Sequence, residues 1–483
     1  MSRRLILLWF SEILKYFVFS FLSIFYFKTM RKHFLFLLSL FSFAFVFLFT
    51  SFHLVGCSEV KETKKENETD CLMKTQEIRY DCKSSKRPII FVHGFMGGGD
   101  NFSLMIQRFL QNGYCPDDLF VFDWDTLTQN FSVSYAVEPL ANLIENALKS
   151  KGKDKVDLIC HSMGGVLCSL YLNQGGKEKV AHYVHAASLK NVNLPKDIKI
   201  MTLSSKDDTL VGEVIFDGAE NVLEDGLDHL QIVSSERSFV HVFRFFNEGL
   251  SPSVLKIQEE GKIYLAGKIM TLGENAPLKN TKLEIYEFDE RTGERKTKEK
   301  VGCFITNEKG EWGVFLAKPK TIYEFFFESD GRKYHYFAGP FRASYHTLYF
   351  RALGKDYGIF SEAVSRFLDL VDESSFFVFF SSTRALYKGR DYLKVDDNDL
   401  PQRIFEPSQS TVAIFFGDFN KNGKSDFVGG PLSIFPLLED IDYFVATSTR
   451  RPIKFESNGK IFYFPNFKPI SEGISIIVFE FDE

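Results

Sequence analysis

Lys155-Val156-Asp157-Leu158-Ile159-Cys160-His161-Ser162-Met163-Gly164-Gly165 is an apolar run that stops abruptly at a serine flanked by small residues. A reactive serine exposed on a sharp strand-to-helix turn needs small residues two positions before and two after it, because the backbone folds tightly there. Cys160 and Gly164 meet that need. Val166, Leu167, Leu170 and Tyr171 then show the spacing of a helix that lays one face on a sheet. Ser162 would stand at the N-terminus of that helix, where unpaired N–H groups and the helix dipole favour developing negative charge.

Working outward, Arg87 to Gly99 reads as a buried strand ending in His93-Gly94-Phe95-Met96-Gly97-Gly98. A loop of this kind supplies a backbone N–H to an oxyanion, so the amides of Phe95 and Met163 are the candidate donors. Ile198 to Val211 reads as a strand delivering a carboxylate at its C-terminal end, and Gly226-Leu227-Asp228-His229-Leu230 places a histidine in a loop ahead of a last helix. Ser, Asp, His is the chain order of the α/β-hydrolases.

From Arg87 to about Gly249 the chain resembles a compact, lidless bacterial lipase domain. By that resemblance Ser162 is the nucleophile, His229 the general base and then acid, and Asp208 the carboxylate that holds the imidazole tautomer. Asp208 is preferred to Asp207 because Asp-x-Leu-Val fits the family pattern. No cofactor is then required for catalysis. His161 and His93 read as supporting residues, His241 as a core histidine, and Cys160 and Cys168 as buried thiols behaving as small hydrophobes.

The expected fold class is α/β, a doubly wound parallel sheet over residues 87–253, followed by an all-β C-terminal region. The strands expected are Ile89–His93, Leu119–Trp124 and Val156–Ser162, with helices from Asp100 to Asn112 and around Val137–Lys149, and C-caps at Gly113 and Gly152. Little room for a lid remains between Asp123 and Val137, so the site is expected to be open to solvent. Residues 254–345 resemble a transthyretin-like β-sandwich, and 346–483 read as a further β domain with an amphipathic helix bearing Val364, Phe367, Leu368 and Val371, and an Asn458-Gly459 hairpin. As a whole the chain is similar to a thermophilic archaeal-type lipase whose C-terminal β domain contacts lipid; a stabilising spacer is the alternative for that region.

Residues 1–56 hold two phenylalanine-rich apolar runs. The second follows Met30-Arg31-Lys32-His33 and ends in Leu54-Val55-Gly56-Cys57, which resembles a lipoprotein signal over 30–56 with Cys57 as the lipidated residue. A retained membrane helix is the alternative. Residues 57–86 read as a polar tether. The expectation is an exported protein anchored on a membrane and facing the periplasm or cell exterior. In such an oxidising compartment Cys71 and Cys82 are candidate disulfide partners, two unpaired thiols being the alternative.

Asp418-Phe419-Asn420-Lys421-Asn422-Gly423-Lys424-Ser425-Asp426 has the spacing of a calcium loop, with Asp418, Asn420, Asn422, the Lys424 carbonyl and Asp426 as ligands; a plain hairpin turn fits equally. Hydrophobic residues make up 45% of the chain and charged ones 25%, with net charge −5, so nucleic acid is not an expected partner. The partners expected are an acyl ester or lipid and a membrane. The leading expectation is a serine carboxylester hydrolase. The alternatives are an acyltransferase, thioesterase or polyester depolymerase using the same residues, and a surface lipid-binding lipoprotein with a vestigial hydrolase domain.

Overall fold

The computed structural model describes residues 71, 82–127, 132–354, 373–387, 389–401, 411–430, 432, 437–449, 451–464, 471 and 473–479. The signal and anchor segments, Cys57, most of the tether and the helix expected at 364–371 lie outside the described residues. The chain divides into Met1–Lys64 and Lys65–Glu483, and all that follows concerns the second unit.

Six parallel strands form the first sheet: β1 (Ile89–Val92), β2 (Leu119–Phe122), β3 (Val156–His161), β4 (Val180–Ala186), β5 (Lys199–Ser205) and β6 (Glu220–Glu224), in the order β2-β1-β3-β4-β5-β6. Alternation along β1 shows why both faces are covered. Ile89 and Phe91 join a cluster with Phe102 and Phe109 of one helical segment and Phe239 and Phe246 of another. Ile90 and Val92 face the opposite cluster, with Leu140, Ile144, Leu167 and Leu172. Among the described residues, the helices beside this sheet are α1 (Ser103–Gln111), α2 (Val137–Lys151), α3 (Met163–Asn173) and α4 (Glu236–Phe246). The helix expected from Asp100 begins instead as a 3-10 turn, Gly99–Phe102, before α1. α2 stops at Gly152 with φ +58°, the left-handed cap that glycine accepts most readily.

The β region is built around one mixed sheet rather than two separate modules. Strand Arg332–Ala338 pairs in parallel with Ile474–Val478, which pairs on its other side with Phe377–Phe380. The boundary expected at 345/346 therefore cuts through a continuous structure, at the first residue of strand Tyr345–Ala352. One face of the mixed sheet packs on a three-stranded sheet, where Trp312 stacks on Phe350 with ring centroids 5.5 Å apart. The opposite face, through Phe377, Phe379, Ile414 and Phe416, packs on a four-stranded sheet carrying Phe455 and Phe462. In that smaller sheet the Asn458-Gly459 hairpin forms as expected, with φ of +49° and +81°.

Three disulfides tie the described residues. The structure pairs Cys71 with Cys303 and Cys82 with Cys115, so the expected Cys71–Cys82 pair is corrected. Cys160 and Cys168 also pair, joining β3 to α3, and are not free thiols. Cys168 lies within the second turn of α3, where the helix passes back beside the strand it follows.

Candidate active site

Ser162 caps α3 with φ +53° and ψ −125°, a backbone region that a non-glycine residue occupies only when its surroundings impose it. Its own N–H donates to the Ala186 carbonyl at 2.9 Å, and Gly165 N–H donates to the Ser162 carbonyl at 2.9 Å. The glycine after it is dictated by sterics. A Cβ on Gly164 would lie 2.5 Å from the His93 carbonyl oxygen and 2.6 Å from that of Val92, both backbone atoms that cannot swing aside.

Asp208 follows β5. Its Oδ1 accepts N–H from Leu210 at 3.0 Å and Val211 at 3.3 Å, and its Oδ2 lies 2.8 Å from His229 Nδ1. Asp207 points elsewhere, accepting the Gly226 N–H at 2.6 Å. Both Asp208 and His229 are buried. The His161 ring lies 4.6 Å from that of His229. His161 Nε2 is 2.9 Å from the His229 carbonyl while its Nδ1 has no partner, which assigns the proton to Nε2. Burial, reinforced by His229, holds His161 well below the usual histidine range, so it stays neutral and supports the loop of His229.

The loop after β1 wraps over Ser162. A Cβ on Gly94 would lie 2.6 Å from Ser162 Cβ. His93 is buried and also held below its usual range, chiefly by desolvation. Its Nδ1 sits 2.8 Å from the Gly94 carbonyl and its Nε2 accepts the Trp124 N–H at 3.1 Å, so one neutral tautomer satisfies both. Met96 has φ +54° and donates its N–H to Thr126 Oγ1 at 2.8 Å. Phe95 borders the cavity described next, and Met163 is the first residue of α3.

Ser162 and His229 open together onto a cavity of about 300 Å³. Its walls come from both parts of the unit: Phe95, Met96, Leu127 and Leu210 on one side, and the mixed sheet on the other. Alternation selects the sheet residues. Val378 and Phe380, Ala413 and Phe415, Ile474 and Ile476 face the cavity, while Phe377, Phe379, Ile414, Phe416 and Ile477 face the opposite core. The site expected to be open to solvent is therefore roofed by the β region.

Sequence reasoning missed the β-region residues that reach the site. Arg351 makes a two-pronged pair with Asp100 at 2.6 and 2.7 Å, both buried. Lys268 and Tyr349 hold Asp123, which accepts the Gly99 N–H. Asn275 and Arg390 contact the two loops nearest Ser162 and His229. No local pattern marks them; only Asn275 carries a signal, standing near Gly273 as an asparagine suited to a left-handed turn. His241, expected in the core, lies on the flank of α4 at 3.1 Å from Glu224.

Asp418, Asn420, Asn422 and Asp426 share one turn. Asp418 accepts N–H from Asn422 and Gly423, Asn420 Oδ1 accepts the Asn422 N–H, and Asn422 Oδ1 accepts the Lys424 N–H. The Asn420 and Asn422 amide nitrogens donate to Asp426. Asp442 adds a third carboxylate, accepting N–H from Asn420 and Asp426.

Residues 87–235 match the family described as alpha/beta hydrolase fold, and residues 261–353 match the lipase C-terminal domain. Among solved structures, the chain is similar to Bacillus licheniformis lipase BlEst2, at 15% identity over 36% of this chain and 96% of that one, with a TM-score of 0.30. It is also similar to esterase RhEst1 from Rhodococcus sp. ECU1013, at 14% identity over 34% of this chain and 92% of that one, with a TM-score of 0.28. Residues 87–235 thus carry the α/β-hydrolase fold, in keeping with the six-stranded parallel sheet, and residues 261–353 carry a lipase C-terminal domain behind it.

Proposed function

We propose that this chain is a serine carboxylester hydrolase acting on acyl esters through an acyl-serine intermediate. His229 takes the Ser162 hydroxyl proton as Oγ attacks the ester carbonyl, while Asp208 keeps the other ring nitrogen protonated and the imidazolium stabilised. The amides of Phe95 and Met163 receive the oxyanion. His229 then gives its proton to the departing alcohol, and a water activated by the same ring releases the acid. The observation that carries the reading is that Ser162 and His229 share the mouth of an apolar cavity, which suits an acyl chain better than a polar acyl group.

A nitrophenyl ester series tests it. Each methylene buried in the cavity is worth about 0.8 kcal/mol, so kcat/KM is expected to rise about fourfold per carbon until the cavity is full. A series that is flat from the shortest ester upward removes the acyl role of the cavity. Hydrolysis that survives Ser162→Ala removes the mechanism. Transfer of the acyl group to an added alcohol or thiol in preference to water would favour an acyltransferase instead. Export, with Cys57 as a lipid anchor, belongs to the same proposal; three disulfides support an oxidising compartment.

A further inference from the structure

Asn275 lies in the turn after strand Ile263–Thr271, with φ +54° and its side chain buried. Its amide nitrogen donates to the Gly97 carbonyl at 2.9 Å and the Trp124 carbonyl at 3.0 Å, and sits 3.2 Å from His93 Nε2. That ring nitrogen already accepts the Trp124 N–H, and an amide has two protons, so those protons serve Gly97 and Trp124. One side chain of the β region thus ties the loop after β1, which lies against Ser162, to the segment after β2.

The histidine loop has a matching contact. Asp228 Oδ1 accepts N–H from Leu230 at 2.9 Å and Gln231 at 3.0 Å, the two residues after His229, so this carboxylate shapes the turn that presents the imidazole. Its Oδ2 accepts from Arg390 Nη2 at 3.0 Å, and Arg390 also donates to the Ala385 carbonyl and the Gln231 side chain. Asp228 is buried, so without Arg390 its carboxylate would lose the cation hydrogen-bonded to it, and the turn that its other oxygen holds would be less firmly placed.

We infer that Asn275 and Arg390 are positioning residues for the reaction, the β region being a working part of the active site: Asn275 fixes the oxyanion loop and Arg390 fixes the loop of His229. The inference rests on the ester-hydrolase reading. It differs from a purely structural role, which would lower melting temperature and leave turnover per folded active site intact.

The test uses the full-length chain. Asn275→Gly tolerates the left-handed backbone and deletes the amide; Asn275→Asp keeps the shape and deletes the donors. Active sites are counted with a nitrophenyl alkylphosphonate, whose tetrahedral serine adduct places an oxygen where the oxyanion forms. Both variants are expected to lose about ten- to a hundredfold in kcat on nitrophenyl butyrate with KM within about threefold, and phosphonate inactivation is expected to slow in parallel. Arg390→Gln is expected to lose kcat likewise and Arg390→Lys to recover part of it, because lysine keeps one charged hydrogen bond to Asp228. Wild-type kcat per active site in Asn275→Asp and Arg390→Gln, with only the melting temperature reduced, overturns the inference alone. A wild-type chain inert towards every ester, or Ser162→Ala as active as wild type, overturns the ester-hydrolase reading and this inference with it.

Discussion

Gly94→Ala tests the closeness of the loop after β1, the proposed oxyanion loop, to the serine turn. The added Cβ would sit 2.6 Å from Ser162 Cβ and 3.1 Å from both Ser162 Oγ and the His161 carbonyl oxygen. Carbon atoms in ordinary contact are about 3.5–4.0 Å apart, so something must yield by about 1 Å. Neither side yields easily. Ser162 is held through its N–H on the Ala186 carbonyl, and the loop is held by His93, Thr126 and Asn275. Gly94 does not have a positive φ, so alanine meets no backbone objection and the effect is steric alone. A misplacement of about 1 Å costs roughly a hundredfold in rate, or about 2.7 kcal/mol of transition-state stabilisation. Overpacking adds a stability loss of about 1–3 kcal/mol. The assay is kcat and KM on nitrophenyl butyrate beside a thermal melt. A folded Gly94→Ala variant with kcat within about threefold of wild type would refute the reasoning, because the loop could then move by about 1 Å without consequence for the oxyanion.

Four further outcomes are expected. Asp208→Asn should lower kcat by about 10⁴-fold while Asp207→Asn changes it by less than about tenfold, since only Asp208 meets His229; equal losses, measured on the same ester, would return the assignment to open. The Cys82–Cys115 link closes 33 residues and the Cys160–Cys168 link 8, so replacing each pair by alanine should cost about 3.7 and 2.5 kcal/mol by denaturant titration, the longer loop costing more. His185 is buried and its pKa is pushed down to about 4 by desolvation, so the folded state keeps it neutral while the unfolded chain protonates from its ordinary value of 6.5. Stability contributed by this residue is therefore intact above pH 6.5 and falls by up to about 1.4 kcal/mol per pH unit between 6.5 and 4; a melting temperature that His185→Gln leaves equally sensitive to acid in that window would contradict it. Calcium added to a chelator-treated sample should leave the melting temperature unchanged, because the oxygens of Asp418, Asn420 and Asn422 already accept backbone N–H groups; a rise would assign the turn to the ion instead.

The serine turn was legible in the sequence because its constraints are local. Gly94 and Gly164 are required by atoms that neighbouring strands bring within contact distance, and such requirements leave a readable string. The unbroken apolar runs Phe377–Phe380 and Ala413–Gly417 likewise suit strands buried on both faces. What could not be read depends on partners far along the chain. Nothing in Ile474–Val478 says that it will lie between Arg332–Ala338 and Phe377–Phe380, so a continuous sheet was read as two modules. Six paired cysteines admit fifteen pairings, and proximity in sequence favoured the wrong one for Cys71. Asn275 and Arg390 are ordinary polar residues until the fold sets them against carbonyls and a carboxylate more than a hundred positions away. His241 shows the same limit in reverse, since two hydrophobic neighbours suggested burial where the turn of α4 points it at Glu224.

Among the described residues, the cavity beside Ser162 is walled in large part by an apolar sheet face. A chain of methylenes lying there would complete the packing of the fold as well as present an ester bond. Folding stability and lipid supply are then linked: each tenfold of free ligand above its dissociation constant adds about 1.4 kcal/mol to the folded state. Protein purified with lipid still in place should melt higher than the same protein after delipidation, and a fatty acid released by turnover should slow the enzyme while protecting it from heat. For this molecule inhibition by product and protection of the fold would be one binding event observed by two methods.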